Sequence, residues 1–505
     1  MLVSPLSENY LLVQYHYTDI LAQLEYIVPY DIHLDLNQSY NRHGIRRGRK
    51  SNKKPRQSAS PGALTALTLR LAKKFAASTD EGNNKNVIFS PLSIYSALSL
   101  IAAGAGGDTL DELLSNLGVA SREDLAEFVG GVAERVLADG SASGRPHVSF
   151  ACGVFHDKTR TLKPAYREAA VESYRAEAHA VDSVGQPSAA VKEINVWAAH
   201  TTKGLITNVL SPSSLNPDTR LVVANAIYFK GSWENTFYEG RTRMDNEFYR
   251  LDGTAVDVPL MCKDGGRHQL IAEHDGFKVL VLPYRVAPWS GIKTKIPRFR
   301  MCFFLPDERD RDSSGPVTRT PSSRRTPPSP TPGSLVLLVD EHHPRCRQPE
   351  IPYGVWVAGG LLSSQDMEEV AASGTKDFLD YYLPTNKVDV GKLRLPRFKT
   401  TFQNKLTRVL KEMGVGAAFD PDRADLSDMA EDDGSGMPLV VQDVFYKAVI
   451  EVNEQGTRAA AVTNGGAFIG CSRPGTPTRP VDFVADHPFL FFIVEQHSMA
   501  VVFAG

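Results

Sequence analysis

The sequence predicts an α+β fold on three observations. Helical spacing of apolar residues dominates the first part of the chain, apolar strand-like runs dominate the later part, and no strict βαβ repeat connects them. With 505 residues and 42% hydrophobic content the chain can bury one large core or two ordinary ones, which excludes disorder throughout.

The helices are signalled first. Residues 64–77, LTALTLRLAKKFAA, repeat Leu64, Leu67, Leu71 and Phe75 at helical spacing. Ser90 is placed to cap the helix that opens PLSIYSALSLIAAGA, with Pro91 in its first turn. Asp108 is expected to cap TLDELLSNLG, which stops on Gly118. Strands are expected at 148–157, 219–231, 277–284, 301–306, 388–399, 440–454 and 488–496, from their β-branched and aromatic content.

Two stretches do not fit a packed core. Residues 1–60 read as an N-terminal extension ending in RHGIRRGRKSNKKPR, whose eight Lys/Arg residues between Arg42 and Arg56 suit a solvated tail. A nuclear address or an RNA-binding arm in this run at 42–56 is the alternative. Residues 61–505 read as the domain, interrupted at about 311–359 by a Pro-, Ser-, Thr- and Arg-rich insertion expected to be mobile. His342, His343 and Cys346 within it lack an evident fourth ligand, so no metal and no cofactor is expected.

Composition narrows the partners. Lys plus Arg (56) nearly balance Asp plus Glu (58), so neither nucleic acid nor an anionic membrane is expected as the main partner. The five cysteines are widely spaced, odd in number and form no CxxC, which suits reduced thiols. The N-terminus lacks the basic start and apolar run of a secretion signal, so a cytoplasmic location is expected, with an extracellular one as alternative. No GxSxG, HExxH or P-loop pattern occurs, and a catalytic enzyme is not expected.

Four blocks in order resemble the serpin family: NVIFSPLSIYSALSLIAAGA, VVANAIYFKGSW, EVNEQGTRAAA and FVADHPFLFFI. The resemblance runs from about Gly62 to Gly505 apart from the insertion, and FVADHPF and LRLPRFK look like the plant branch. It implies helices packed around three β-sheets, an exposed C-terminal reactive loop, and a monomer that inhibits a serine or papain-like cysteine protease. The loop is cleaved, enters the central sheet as a strand and traps the protease as an acyl-enzyme, a strand insertion of the kind general physical accounts already use as an example. The hinge maps to Gly456, Thr457, Arg458, Ala459, Ala460, Ala461 and Val462, and the reactive bond to Gly470-Cys471 or Cys471-Ser472. Ser90, Ser93, Asn225 and Tyr446 map to a latch under the sheet; Trp233, Arg397 and Glu454 map to its top, the last two as a solvated ion pair.

The residues themselves fit such an insertion. Thr457, Ala459, Ala461 and Thr463 alternate as small side chains on one face of an extended chain, where bulk would be costly. An alanine-rich turn or short helix is the plain alternative for this segment. Arg458 stands where the family has an acidic residue, and Asn464-Gly465-Gly466 weakens a strand. Tyr446 stands where it has histidine, and the bulkier phenol is expected to loosen the latch. The chain also ends at AVVFAG, a few residues short of the pattern, which would shorten a buried strand. These departures keep two alternatives open: a non-inhibitory serpin used for storage, carriage or chaperoning, or an inactive product of an aberrant gene model.

Overall fold

Helix signals in the sequence become seven α-helices among the described residues of the computed structural model: α1 Pro61–Ala77, α2 Pro91–Ala102, α3 Gly107–Leu117, α4 Arg122–Val136, α5 Pro164–Glu172, α6 Pro187–Thr201 and α7 Thr407–Glu412. The described residues are 61–77, 86–141, 145–250, 254–264, 268–286, 296–307, 379, 381–434, 436, 438–456 and 479–505. The N-terminal extension, the 311–359 insertion with His342, His343 and Cys346, the hinge from Thr457 to Val462 and the reactive bond at Gly470, Cys471 and Ser472 lie outside them.

Helix α2 is apolar on all sides and every one of its residues is buried, as that composition requires. Ser90 caps it, its hydroxyl accepting from Ser93 N at 3.2 Å, with Pro91 at the first helical position. Helix α3 starts earlier than expected: Gly106 occupies the cap, and Asp108 falls in the first turn, where its charge faces the positive helix end. Gly118 ends that helix in the left-handed conformation, φ 69°.

The first sheet runs β10 (Phe398–Lys405), β11 (Asp443–Val452), β3 (Leu221–Lys230), β1 (His147–Asp157) and β2 (Glu177–Val181). Helix α2 packs beneath β1 and β3, and α6 lies against β1. The remaining strands are β4 (Arg243–Tyr249), β5 (Ala255–Asp264), β6 (His268–His274), β7 (Phe277–Pro283), β8 (Phe299–Pro306), β9 (Lys387–Pro396), β12 (Val481–Val484), β13 (Leu490–Glu495) and β14 (Val501–Ala504). They form two sheets joined by β9, which pairs with β5 and β12 in one and with β6 in the other.

One strand expectation is corrected. Residues 388–399 do not form a single strand: the chain breaks at Arg397, and β9 and β10 belong to different sheets. Pro396 has no N–H to continue a ladder, and Arg397 N bonds Pro259 O at 2.8 Å instead.

Candidate site for loop insertion

Strand β11 is fully paired, and the chain leaving its end defines the site. Its left neighbour β10 is antiparallel, from Phe398↔Val452 to Lys405↔Phe445. Its right neighbour β3 is parallel, from Asp443↔Val222 to Ile450↔Phe229. A chain that leaves the end of β11 and turns back would therefore run antiparallel to both β11 and β3 if it entered between them. One slanted parallel ladder would be exchanged for two antiparallel ones, the more stable arrangement per residue.

The turn at the end of β11 is built for close approach. Gly456 has φ +87°, and a β-carbon there would lie 2.3 Å from Trp233 N and 2.4 Å from Gly231 O. Asn453 O accepts both from Gly456 N at 2.9 Å and from Trp233 Nε1 at 2.9 Å. Trp233 N in turn donates to Gln455 O at 3.0 Å, and the indole stacks on Tyr284 with centroids 4.6 Å apart. Glu454 is only 4% exposed. Its carboxylate accepts from Thr242 Oγ1 at 2.7 Å and meets Arg397 Nη1 at 3.5 Å. The expected Arg397–Glu454 pair exists, but Glu454 is buried, so the pair is not a solvated one. Losing one partner here would leave a desolvated charge.

At mid-sheet, Cys152, Asn225 and Tyr446 stand side by side on β1, β3 and β11, with the parallel seam between the last two. Asn225 Oδ1 accepts from Ser93 Oγ, and Asn225 Nδ2 donates to Ser93 O at 3.1 Å. Tyr446 Oη accepts from Ser90 N at 2.5 Å. The two sides of the seam are thus linked through the first turn of α2. This corrects the expectation that Tyr446 loosens the latch: the ring is 0% exposed and its hydroxyl holds the cap residue. Burial pushes the phenol's pKa well up, only partly offset by the Ser90 bond, so the group stays neutral.

All four residues expected in the latch and all three expected at the top fall into these two clusters, and Gly456 joins the second. Thr242, Tyr284 and Cys152 were not anticipated. Thr242 and Tyr284 are single polar and aromatic residues beside strand ends with no local pattern, and only the pairing of distant strands shows their role. Cys152 is buried, with its thiol pushed up to about 12 by desolvation.

The serpin family pattern, described as serine protease inhibitor, matches residues 62–317 and 350–505. The chain is a serpin. Rice (Oryza sativa subsp. japonica) serpin-Z2A is 44% identical to it over 446 residues, covering 88% of this chain and 96% of the relative. Wheat (Triticum aestivum) serpin-Z2A is 36% identical over 443 residues, covering 87% and 94%. The structure of Arabidopsis AtSerpin1 in its native stressed conformation is similar with a TM-score of 0.67 at 32% identity, covering 88% of this serpin and 96% of the other. The plant resemblance read from FVADHPF and LRLPRFK holds. This serpin is a serpin-type protease inhibitor.

Proposed function

We propose that this serpin inhibits by loop cleavage and strand insertion at the β3–β11 seam, with Gly470-Cys471 as the bond attacked. The observation that supports this most directly is the parallel pairing of β3 and β11, with Gly456 seated against Trp233 where the returning chain would enter.

The chemistry belongs to the protease. Its serine oxygen or cysteine sulfur attacks the carbonyl carbon of Gly470, the C–N bond to Cys471 breaks, and the Cys471 amine leaves with a proton. An acyl ester or thioester on Gly470 remains. Insertion of the freed strand must then outrun attack by water for the protease to stay trapped. The residue entering the protease's primary pocket is small and uncharged, so an elastase-like, subtilisin-like or papain-like protease fits better than a trypsin-like one. Trypsin's nearest basic alternatives are poor: Pro474 follows Arg473, and cleavage at Arg458 leaves almost no strand to insert.

The test is one denaturing gel with elastase-, subtilisin-, papain- and trypsin-like proteases. A denaturant-resistant complex joined through residue 470 or 471 is expected with the first three. Cleavage without a complex for all of them would instead identify a non-inhibitory serpin. A trypsin complex joined at Arg458 would contradict the assigned bond. A second measurement is thermal: strand insertion replaces the β3–β11 ladder by two, a net gain of about one backbone bond per inserted residue worth ~1 kcal/mol each, so nicked protein should melt well above intact protein. Equal melting temperatures would exclude insertion.

A further inference from the structure

A buried imidazole at the foot of the first sheet has no part in either cluster described above. His156 stands at the end of β1, 2% exposed, in register with Ala180 of β2 on one side and Leu221 of β3 on the other. Cys152 and Val154 belong to the large core under the sheet and Phe155 to the core under α6, so alternation along the strand turns His156 away from α6. It meets α5, which is itself fastened to α2 by Tyr166 Oη donating to Leu100 O at 3.1 Å.

The partners of the ring assign its tautomer. Nδ1 lies 3.0 Å from Asp157 O, and a carbonyl can only accept, so Nδ1 carries the proton. Nε2 is left as the acceptor, and Arg167 Nη2 on α5 donates to it at 3.4 Å. A second proton, on Nε2, would set N–H against N–H and one cation against another.

Burial, first, and then Arg167 hold the His156 pKa below the ordinary imidazole value; the backbone of Asp157 and of Arg160 and the Asp157 carboxylate offset this only in part. The other charged groups of these elements are engaged elsewhere. Arg160 Nη1 pairs with Asp433 at 2.8 Å, Lys158 Nζ with Asp182 at 2.7 Å, and Arg220 Nη1 donates to Pro217 O at 2.7 Å.

The His156–Arg167 contact crosses a boundary between two parts of the fold. Strands β1 and β3 share one antiparallel ladder from His147↔Lys230 to His156↔Leu221, whereas α5 is held by α2. A charged imidazole so deeply buried can reach water only if its ring leaves the site or α5 lifts from the strand. We propose that His156 is an acid-sensitive catch, whose protonation below neutral pH detaches the end of β1 from α5 and loosens the native sheet. The catch lies beyond the inhibitory reading and works whether or not the loop is cleaved. Its sign is fixed: with the folded-state pKa lowered, the unfolded chain binds more protons, so the stability is complete above about 6.5 and is lost as pH falls through the folded value. Asp157, held at about 2, acts in a separate and more acidic window.

The test compares the full chain with His156→Asn, which cannot titrate, and Arg167→Gln, which removes the cation and keeps a donor. Urea melts at pH 7 and pH 5 read stability. Hydrogen exchange at the same two values, corrected for the pH dependence of exchange itself, reads where the structure opens. The wild type should lose stability between pH 7 and pH 5, with protection falling severalfold over residues 154–157 and 164–170. His156→Asn should lose distinctly less and keep its protection there, and Arg167→Gln should fall between the two. If His156→Asn folds too poorly to compare, Arg167→Gln decides. Equal acid losses in the wild type and the variants, or acid opening confined to other parts of the chain, would overturn the catch.

Discussion

Gly456 and Trp233 meet backbone to backbone, with space for no side chain between them: the added β-carbon would be 2.3 Å from the Trp233 nitrogen. The left-handed φ of +87° independently disfavours any L side chain by about 1–2 kcal/mol. Gly456→Ala should therefore lower the melting temperature of the intact protein and shift Trp233 fluorescence, because the Tyr284 stack must move. Unchanged melting and emission would show that the turn relaxes freely.

Tyr446 gives a second expectation. Tyr446→Phe keeps the ring and removes only the acceptor of Ser90 N, leaving a buried donor unpaired at a cost of about 1–3 kcal/mol. Because the bond links β11 to the cap of α2, the variant should also polymerise faster on mild heating. Size-exclusion chromatography after incubation reads this, and equal polymer fractions would remove Tyr446 from the latch.

Acid should act through Asp157. The carboxylate is 0% exposed, and burial alone would raise its pKa. Thr159 Oγ1 at 2.6 Å, Thr159 N and Val184 N at 2.9 Å, and Ser183 Oγ at 3.0 Å outweigh that and hold it at about 2, against an ordinary value of 3.8. A depressed folded-state pKa gives stability that is complete above the unfolded value and is lost as pH falls from about 4 to 2. The contribution is roughly 2 kcal/mol. Denaturant melts of wild type and Asp157→Asn should differ by about that much at pH 7 and converge near pH 2. A gap independent of pH would mean packing, not charge, is responsible.

Arg175 is the place to gain stability. It comes after α5 with φ +52°, and Ala176 N reaches back to Ala170 O at 2.9 Å, the wide closing bond of a helix end that favours glycine at the left-handed position. Arg175→Gly should raise stability by ~1 kcal/mol without altering inhibition. A lower melting temperature would show that interactions of the arginine side chain outweigh the backbone strain.

Much of the site was legible because its signals are local. Ser90-Pro91 announces a capped helix and Gly118 a helix end. Capping, left-handed backbone and period-two patterning depend on neighbours a few residues away, and a sequence displays such neighbours directly. Other features were not legible for the opposite reason. The break at Arg397 depends on Pro259, the burial of Glu454 on Thr242, and the role of Tyr446 on Ser90, which is 356 residues distant.

By itself, then, the sequence determined the secondary elements with strong periodicity and the order of the four family blocks. Only the tertiary structure decided that Tyr446 fastens the latch, that Glu454 is a buried charge, and that β3 and β11 lie side by side and parallel. The physical reason is that pairing between strands more than 200 residues apart leaves no periodic trace in either strand: a strand buried on both faces reads as the same apolar run whichever neighbour it takes and whichever way that neighbour points.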